Sequence, residues 1–350
     1  MNEKKVLLAG GLLYLGLSFA LFNASPEDRA HKPVDGMGYH KIAMRFVEKG
    51  TLLSVSKSPL NHPIGYPFVL GLCYKLWGNE VWKIVLFQVF LMLLSLVIWY
   101  YIIKRLFDPQ IAQYTYFLSI INLGLLIYPQ LVLVESGQFF LYTLFFERLS
   151  QFYNSTKEKI LLQAGFFLGL SVWLKPSALY FPLYCMPFLL VMWFLNRKNI
   201  LYFFTYFAVG FYVPVGLYSL YNYSHFGYIK LSYIPEYGQY YFLHSKILKQ
   251  INPSWSESKL RILIHSHFNT NYIRLDSRYW QGGALFLYQT CLQHPVLVLK
   301  HVGLNVVKTL IAPCITQWKI FLDPTSITPN TVSFFFTTCS LMFFPLSKIF

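Results

Sequence analysis

Charge is what this chain lacks most. Only 12% of its 350 residues are Asp, Glu, Lys or Arg, about half of the roughly 25% typical of a soluble domain. With 55% hydrophobic residues and a mean hydropathy of +0.45, the chain is too apolar for a disordered protein and carries too little charge to wet a soluble fold. Acidic residues are scarcest, 14 against 29 basic, for a net charge of +15. In a soluble protein that excess would suggest nucleic acid. In a chain this apolar it is better explained by Lys and Arg gathered at cytoplasmic helix ends and anionic headgroups, so no nucleic-acid partner is expected. Cysteine is sparse too: Cys73, Cys185, Cys291, Cys314 and Cys339 form no CxxC pair, so no disulfide framework can be read from them. There is no P-loop, no GxGxxG after a strand and no GxSxG, which removes local support for ATPase, nucleotide-sugar or hydrolase chemistry. Nor is there an internal repeat, the signature of many transporters.

What remains is a series of apolar runs. They lie at Val6–Phe22, Val81–Ile103, Ile111–Tyr128, Leu131–Phe146, Ile160–Leu174, Ala178–Leu195, Leu201–Tyr221, Val296–Ile311 and Val332–Phe350. Each is close to the roughly 17–25 residues that carry a helix across hydrocarbon. In lipid a helix satisfies its own backbone polar groups. The expected fold is therefore all-α: a single polytopic transmembrane bundle of about nine helices over residues 1–350, with no separate soluble domain. The first run is read as an uncleaved helix, because a signal cleavage after Asn23-Ala24-Ser25 would leave Pro26 directly beyond the cut.

Short loops set the orientation. Lys4 and Lys5, Lys104 and Arg105, Arg148, Lys157 and Lys159, and Arg197 and Lys198 fall on one side if the helices alternate, and the positive-inside rule makes that side cytoplasmic. Two long loops, 24–80 and 222–295, then lie outside and are expected to carry short interfacial helices. Loops of that length are usually functional, which points to chemistry at the outer face.

In the first of these loops, Tyr39, Ala43 and Phe46 share one face if the chain is helical after Gly38. Asp35 then sits at or just before the helix start, where Asp is a favoured N-cap. Further on, Asn61-His62-Pro63-Ile64-Gly65-Tyr66-Pro67 sets a turn, and the apolar stretch after it, closed by Gly78, is too short to span.

At this point a resemblance becomes specific. The elements are an Asp-containing start to the first outer loop, a Pro-x-Gly-Tyr-Pro-type turn, a short helix ending in Trp77-Gly78, and then an aromatic- or Gln-led span. Together they resemble the GT-C type membrane glycosyltransferases, in particular protein O-mannosyltransferases and aminoarabinose transferases. Leu133-Val134-Glu135-Ser136-Gly137-Gln138-Phe139 is similar to that family's Ser-Glu segment. Gly169-Leu170-Ser171-Val172-Trp173-Leu174-Lys175-Pro176-Ser177-Ala178 is similar to its Gly-Leu-x-x-Leu-x-(Arg/Lys)-Pro-x-Ala stretch. Asn222 to Ser232 resembles its Asn-x-x-x-Phe-Gly-x-x-x-x-Ser motif, with Tyr221 where the family has Arg, and His294-Pro295 resembles its His/Asn-Pro entry to a later span.

The resemblance implies an enzyme that takes a sugar from a polyprenyl or dolichyl phosphate on the outer leaflet and passes it to a protein, lipid or glycan acceptor. It implies Asp35 as the general base. An ordinary Asp is ionised at neutral pH, its pKa near ~3.9, so it can accept a proton from the acceptor only in concert with attack, with inversion expected. Lys175, at the junction of two apolar runs, is a donor-phosphate contact on this reading and a snorkelling rim cation on the blander one. His62, Tyr66 and Asn222 complete the expected donor site. Glu135, a few residues into a span, is either a contact to the acceptor or a metal, or half of a structural ion pair. No cofactor is firmly indicated. A divalent metal stays open, although Ile264-His265-Ser266-His267 offers two histidines without a carboxylate partner. The other function class is a transporter or flippase for lipid-linked glycans, which would need a polar path through the bundle that the scarcity of ionisable residues in the spans disfavours. The short cytoplasmic loops favour a bacterial inner (plasma) membrane with the site on its periplasmic side.

Overall fold

The computed structural model describes residues 2–24, 34–52, 62–155, 157–196, 200–227, 229, 231–232, 245–266, 288–301 and 303. Among them every regular element is helical. The chain divides into two compact units, Met1–Leu53 with His62–Leu231, and Ser54–Asn61 with Ser232–Phe350.

In the first unit, α1 (Glu3–Ala24), α4 (Val81–Leu106), α5 (Pro109–Ile120) and α6 (Leu123–Ile127) share one core around Tyr14, Met92, Leu96, Tyr116 and Leu126. A second core joins α7 (Glu135–Ser155), α8 (Glu158–Leu174), α9 (Phe181–Asn196) and α10 (Ile200–Phe226) through Phe145, Phe152, Leu168, Phe211 and Tyr218. Between α8 and α10 the backbones touch. A Cβ added at Gly165 would lie 2.3 Å from the Phe207 carbonyl, one at Gly169 would lie 2.4 Å from that of Phe211, and one at Gly210 would lie 2.1 Å from that of Leu162. Small residues at such contacts are how helices pack closely in lipid.

Among the described residues, two helices are long and apolar enough to cross a membrane, Glu3–Phe22 and Val81–Leu106. A third span is made if the pair Pro109–Ile120 and Leu123–Gln130, bent by 56°, counts as one. The all-helical class therefore stands, while nine spans are not reached among the described residues. The expected run Ile111–Tyr128 breaks at Asn122, whose side chain accepts from the backbone N–H groups of Gly124 and Leu125 and caps a new helix. The expected run Leu131–Phe146 is shifted: Leu131–Val134 is not helical, and α7 runs from Glu135 to Ser155. Arg148, expected in a connection, lies inside α7 and donates to Gln151 at 2.8 Å. Two of the expected spans, α8 and α9, are helices of 17 and 16 residues, at the short end for crossing. The expected run Val332–Phe350 and most of Val296–Ile311 lie outside the described residues.

The expected cytoplasmic charges gather at one end of the unit. Lys104 pairs with Glu3 at 2.6 Å, and Arg105 grips Glu147 through two hydrogen bonds of 3.0 and 3.1 Å. Glu135 begins the same helix twelve residues earlier, about 18 Å away along its axis at 1.5 Å per residue.

Two short helices of the first loop complete this unit. Helix α2 (Val34–Lys49) packs against α3 (Gly65–Trp77), burying Tyr39 and Ala43 as the spacing predicts, and Gly71 sits under Phe46, where an added Cβ would lie 2.5 Å from its ring. Helix α3 ends at Gly78, whose φ of +88° suits glycine. In the second unit, Ser245–Ile251 and Glu257–Ser266 are short helices, and His301 Nε2 lies 2.9 Å from Gln250 Oε1.

Candidate active site

The site is built on the turn His62-Pro63-Ile64 and the start of α3. Gly65 lies against the last turn of α8: an added Cβ would meet the Trp173 carbonyl at 2.5 Å. No other residue type allows that approach. On the other side, the His62 ring lies against Gly38, where an added Cβ would be 2.2 Å from Nε2. Gly38 is one helical turn beyond Asp35, the second residue of α2. The Asp35 side chain lies outside the described residues. The three steps from His62 to Gly65 thus link the first turn of α2 to the end of α8, and three residues reach at most about 10 Å.

Lys175 stands at that end of α8 because of its neighbour. A residue before proline is driven out of the α region, so the helix stops at Leu174 and Lys175 is extended, with φ −145° and ψ 107°. Pro176 opens a short 3-10 turn to Tyr180. The Lys175 side chain is half-exposed, and its Nζ lies 3.3 Å from Glu135 Oε1. Sequence reasoning left Glu135 open between a site role and an ion pair, and the structure gives it this partner. A pair so exposed is worth about 0–1 kcal/mol, so a singly charged phosphodiester could take the place of the carboxylate at Lys175 at small cost. The second Glu135 oxygen and Ser136 Oγ are buried without a hydrogen-bond partner among the described residues.

Tyr66 is buried in the first turn of α3. Its ring packs edge-on against Tyr39, with centroids 5.0 Å apart, and Tyr39 packs in turn against His62 at 5.3 Å. The Tyr66 hydroxyl donates to Gln88 Oε1 at 2.5 Å. Burial first, then the neighbouring Tyr74, Tyr39 and Glu135, push the phenol well above its ordinary pKa. Tyr66 therefore stays protonated and serves as a hydrogen-bond donor, not a base. Tyr74, likewise raised by burial, lies 2.8 Å from His40 Nδ1.

Asn222 is fully buried in α10. It engages the hydroxyl of Tyr218, which also reaches the Ile64 backbone. Tyr218 stacks on Trp173 with centroids 5.3 Å apart, and the Trp173 indole N–H donates to the Pro214 carbonyl at 2.9 Å. Asn222 therefore meets the turn through Tyr218.

His62, Tyr66, Glu135, Lys175 and Asn222 are thus gathered around one turn. Sequence reasoning missed Gln88, Tyr218 and Trp173. The readable signal for Gln88 was a lone amide in an apolar run. Arg274, Asp276, Arg278 and Trp280, a charged and aromatic group in the second loop, lie outside the described residues. No group of three or more His, Cys, Asp or Glu side chains converges among those described.

Residues 61–218 match the family model for dolichyl-phosphate-mannose-protein mannosyltransferase. The match bears out the resemblance to GT-C type enzymes over that segment, somewhat under half the chain. It implies a membrane glycosyltransferase that uses a lipid-linked sugar donor. The mannosyltransferase match takes in His62, Tyr66, Glu135 and Lys175, whereas Asp35 and Asn222 fall outside it. No curated protein and no solved structure matches the chain.

Proposed function

We propose that this chain transfers a sugar from a polyprenyl or dolichyl phosphate to a protein, lipid or glycan acceptor at the outer, periplasmic face of a bacterial inner membrane. It works as one membrane domain of about nine spans. The observation that carries this reading is the short turn joining the first turn of α2, which bears Asp35, to the extended Lys175. A carboxylate on α2 and a cation at the end of α8, on the two sides of that turn, suit a sugar phosphate held between a base and a cation.

The step is a displacement. The acceptor hydroxyl attacks the anomeric carbon while the Asp35 carboxylate takes its proton. The bond from carbon to phosphate oxygen breaks with its electron pair on the phosphate, and the lipid phosphate leaves, stabilised by Lys175. The sugar inverts. His62, Tyr66 and Asn222 shape the donor site around the turn, and Glu135 keeps Lys175 oriented until phosphate arrives.

The test uses the purified chain in lipid nanodiscs with a panel of radiolabelled polyprenyl-phosphate sugars, mannose included. Transfer of label with equimolar release of lipid phosphate is expected. Movement of lipid-linked sugar across vesicles without any release of lipid phosphate would contradict the proposal and indicate a flippase.

A second expectation concerns the cation. Lys175→Gln should lower kcat/KM by about 10²-fold, the usual loss when one charge-stabilising donor is removed. Its melting temperature should stay close to wild type, because the ion pair that is lost is weak. Steady-state kinetics and a thermal melt on the same preparation check both. A wild-type rate would reduce Lys175 to a rim residue.

A further inference from the structure

We infer that Gln88 is a positioning residue for the lipid-phosphate donor, acting by clamping the non-helical segment that aims Glu135 at Lys175. The inference rests on the transferase reading above and adds to it a residue that makes no contact with substrate.

Gln88 lies in the apolar α4 and is 2% exposed. An amide at that depth is costly unless it is satisfied, and this one is satisfied in a single way. Its Nε2 donates to the carbonyl of Pro129 at 3.0 Å and to that of Leu131 at 2.7 Å, while its Oε1 accepts from the Tyr66 hydroxyl at 2.5 Å. Carbonyls cannot donate, so the amide cannot be flipped without facing two acceptors with an acceptor. Both N–H donors are used on two carbonyls at the point where the chain leaves its short 3-10 turn (Tyr128–Gln130) and runs through Leu131, Val132, Leu133 and Val134.

Those four residues are buried and outside any helix: the Leu133 N–H turns back to the Leu131 carbonyl at 2.8 Å, and of the four carbonyls that of Val134, which accepts from the Gln138 N–H at 2.9 Å, joins the ladder of α7. Their path is therefore set by what their carbonyls find, and α7 starts where that path ends, at Glu135. Gln88 thus ties three things together: Tyr66 at the start of α3, the segment entering α7, and through that segment the carboxylate 3.3 Å from Lys175. A shift at Leu131 would move Glu135, and the cation would lose the partner that holds it toward the turn.

A methionine at 88 keeps the length of the side chain and removes all three hydrogen bonds, so Gln88→Met is the informative variant. In nanodiscs its KM for the polyprenyl-phosphate sugar should rise about tenfold, with the acceptor KM within twofold of wild type. When it is added to a Lys175→Gln background the effect on donor KM should fall below twofold, because clamp and cation act on one interaction. A donor KM within twofold of wild type, or an undiminished effect in the Lys175→Gln background, would overturn the inference. Hydrogen–deuterium exchange provides a readout that needs no turnover. The amides of 133–138 should exchange at least tenfold faster in Gln88→Met while those of α8 stay as in wild type. Unchanged exchange at 133–138 would overturn the clamp even if the wild type transferred no sugar, and faster exchange with an inactive wild type would uphold the clamp and sink the transferase reading.

Discussion

Replacing Asp35 by asparagine is expected to reduce sugar transfer by about 10²- to 10⁴-fold, the range for losing a general base. The substitution keeps the size and shape of the side chain and removes only its charge and basicity. Asparagine is as good as aspartate at capping a helix. The negative charge near the start of α2 contributes to the helix dipole by no more than about 0.3–1 kcal/mol. If residue 35 only started the helix, the variant would transfer sugar normally. On the base reading, the melting temperature stays near wild type while the rate collapses. The pH profile offers a second check. A base must be deprotonated to act, so wild-type kcat/KM should fall on acidification. The residual rate of Asp35→Asn should show no such acid limb. Initial rates with a labelled donor at neutral and at acid pH separate the two roles.

The largest effect on stability is expected at Gly210. A side chain there points at the backbone of α8, with its first carbon 2.1 Å from the Leu162 carbonyl. Backbone cannot swing aside as a flexible side chain does, so the two helices must separate. Gly165 and Gly169, which face α10 from the other side, would lose the same close contact. Gly210→Val should cost about 3 kcal/mol, at the upper end of the cost of overpacking. In a domain of this size that lowers the melting temperature by about 6–12 °C. It should also weaken the donor site, because α8 carries Trp173 and ends beside Lys175 while α10 carries Tyr218 and Asn222. Gly216, in the same helix, is the control. An added Cβ there meets nothing within 4 Å, so Gly216→Ala should be neutral or stabilise by about 0.5–1 kcal/mol through helix propensity. Equal melts for the two variants would mean that α8 and α10 are not in backbone contact.

Much of the first long loop was legible in the sequence. The three- and four-residue spacing of Tyr39, Ala43 and Phe46 gave the buried face of α2, and the Pro and Gly residues around His62 and at Gly78 bracketed α3. Punctuating residues act locally, and local rules read them well. The spans were harder because hydropathy is an average. One asparagine in an apolar run hardly lowers that average, yet Asn122 caps a new helix and bends the chain. One arginine looks like a loop, yet Arg148 lies within α7, beside the Glu147 that Arg105 grips from α4. The start of α7 was misplaced for a related reason. Leu131–Val134 is apolar enough for a span, but two carbonyls at its entrance are bound by Gln88, forty residues earlier.

The candidate site followed the same division. Lys175 before Pro176 and the His62 to Tyr66 turn were visible as motifs. That Glu135 is the partner of Lys175, and that Asn222 reaches the turn through Tyr218, depends on contacts between helices that no single-chain pattern encodes.

The central claim is spatial: a lipid phosphate lies on Lys175 while the sugar it carries faces Asp35. A structure of the chain in nanodiscs with a non-transferable polyprenyl-phosphonate sugar tests it most directly. The account predicts the phosphonate within about 4 Å of the Lys175 ammonium, the distance of an ion pair, and the anomeric carbon open to the Asp35 carboxylate across the His62–Gly65 turn. Phosphonate density elsewhere on the protein, with Lys175 still paired to Glu135, would contradict it.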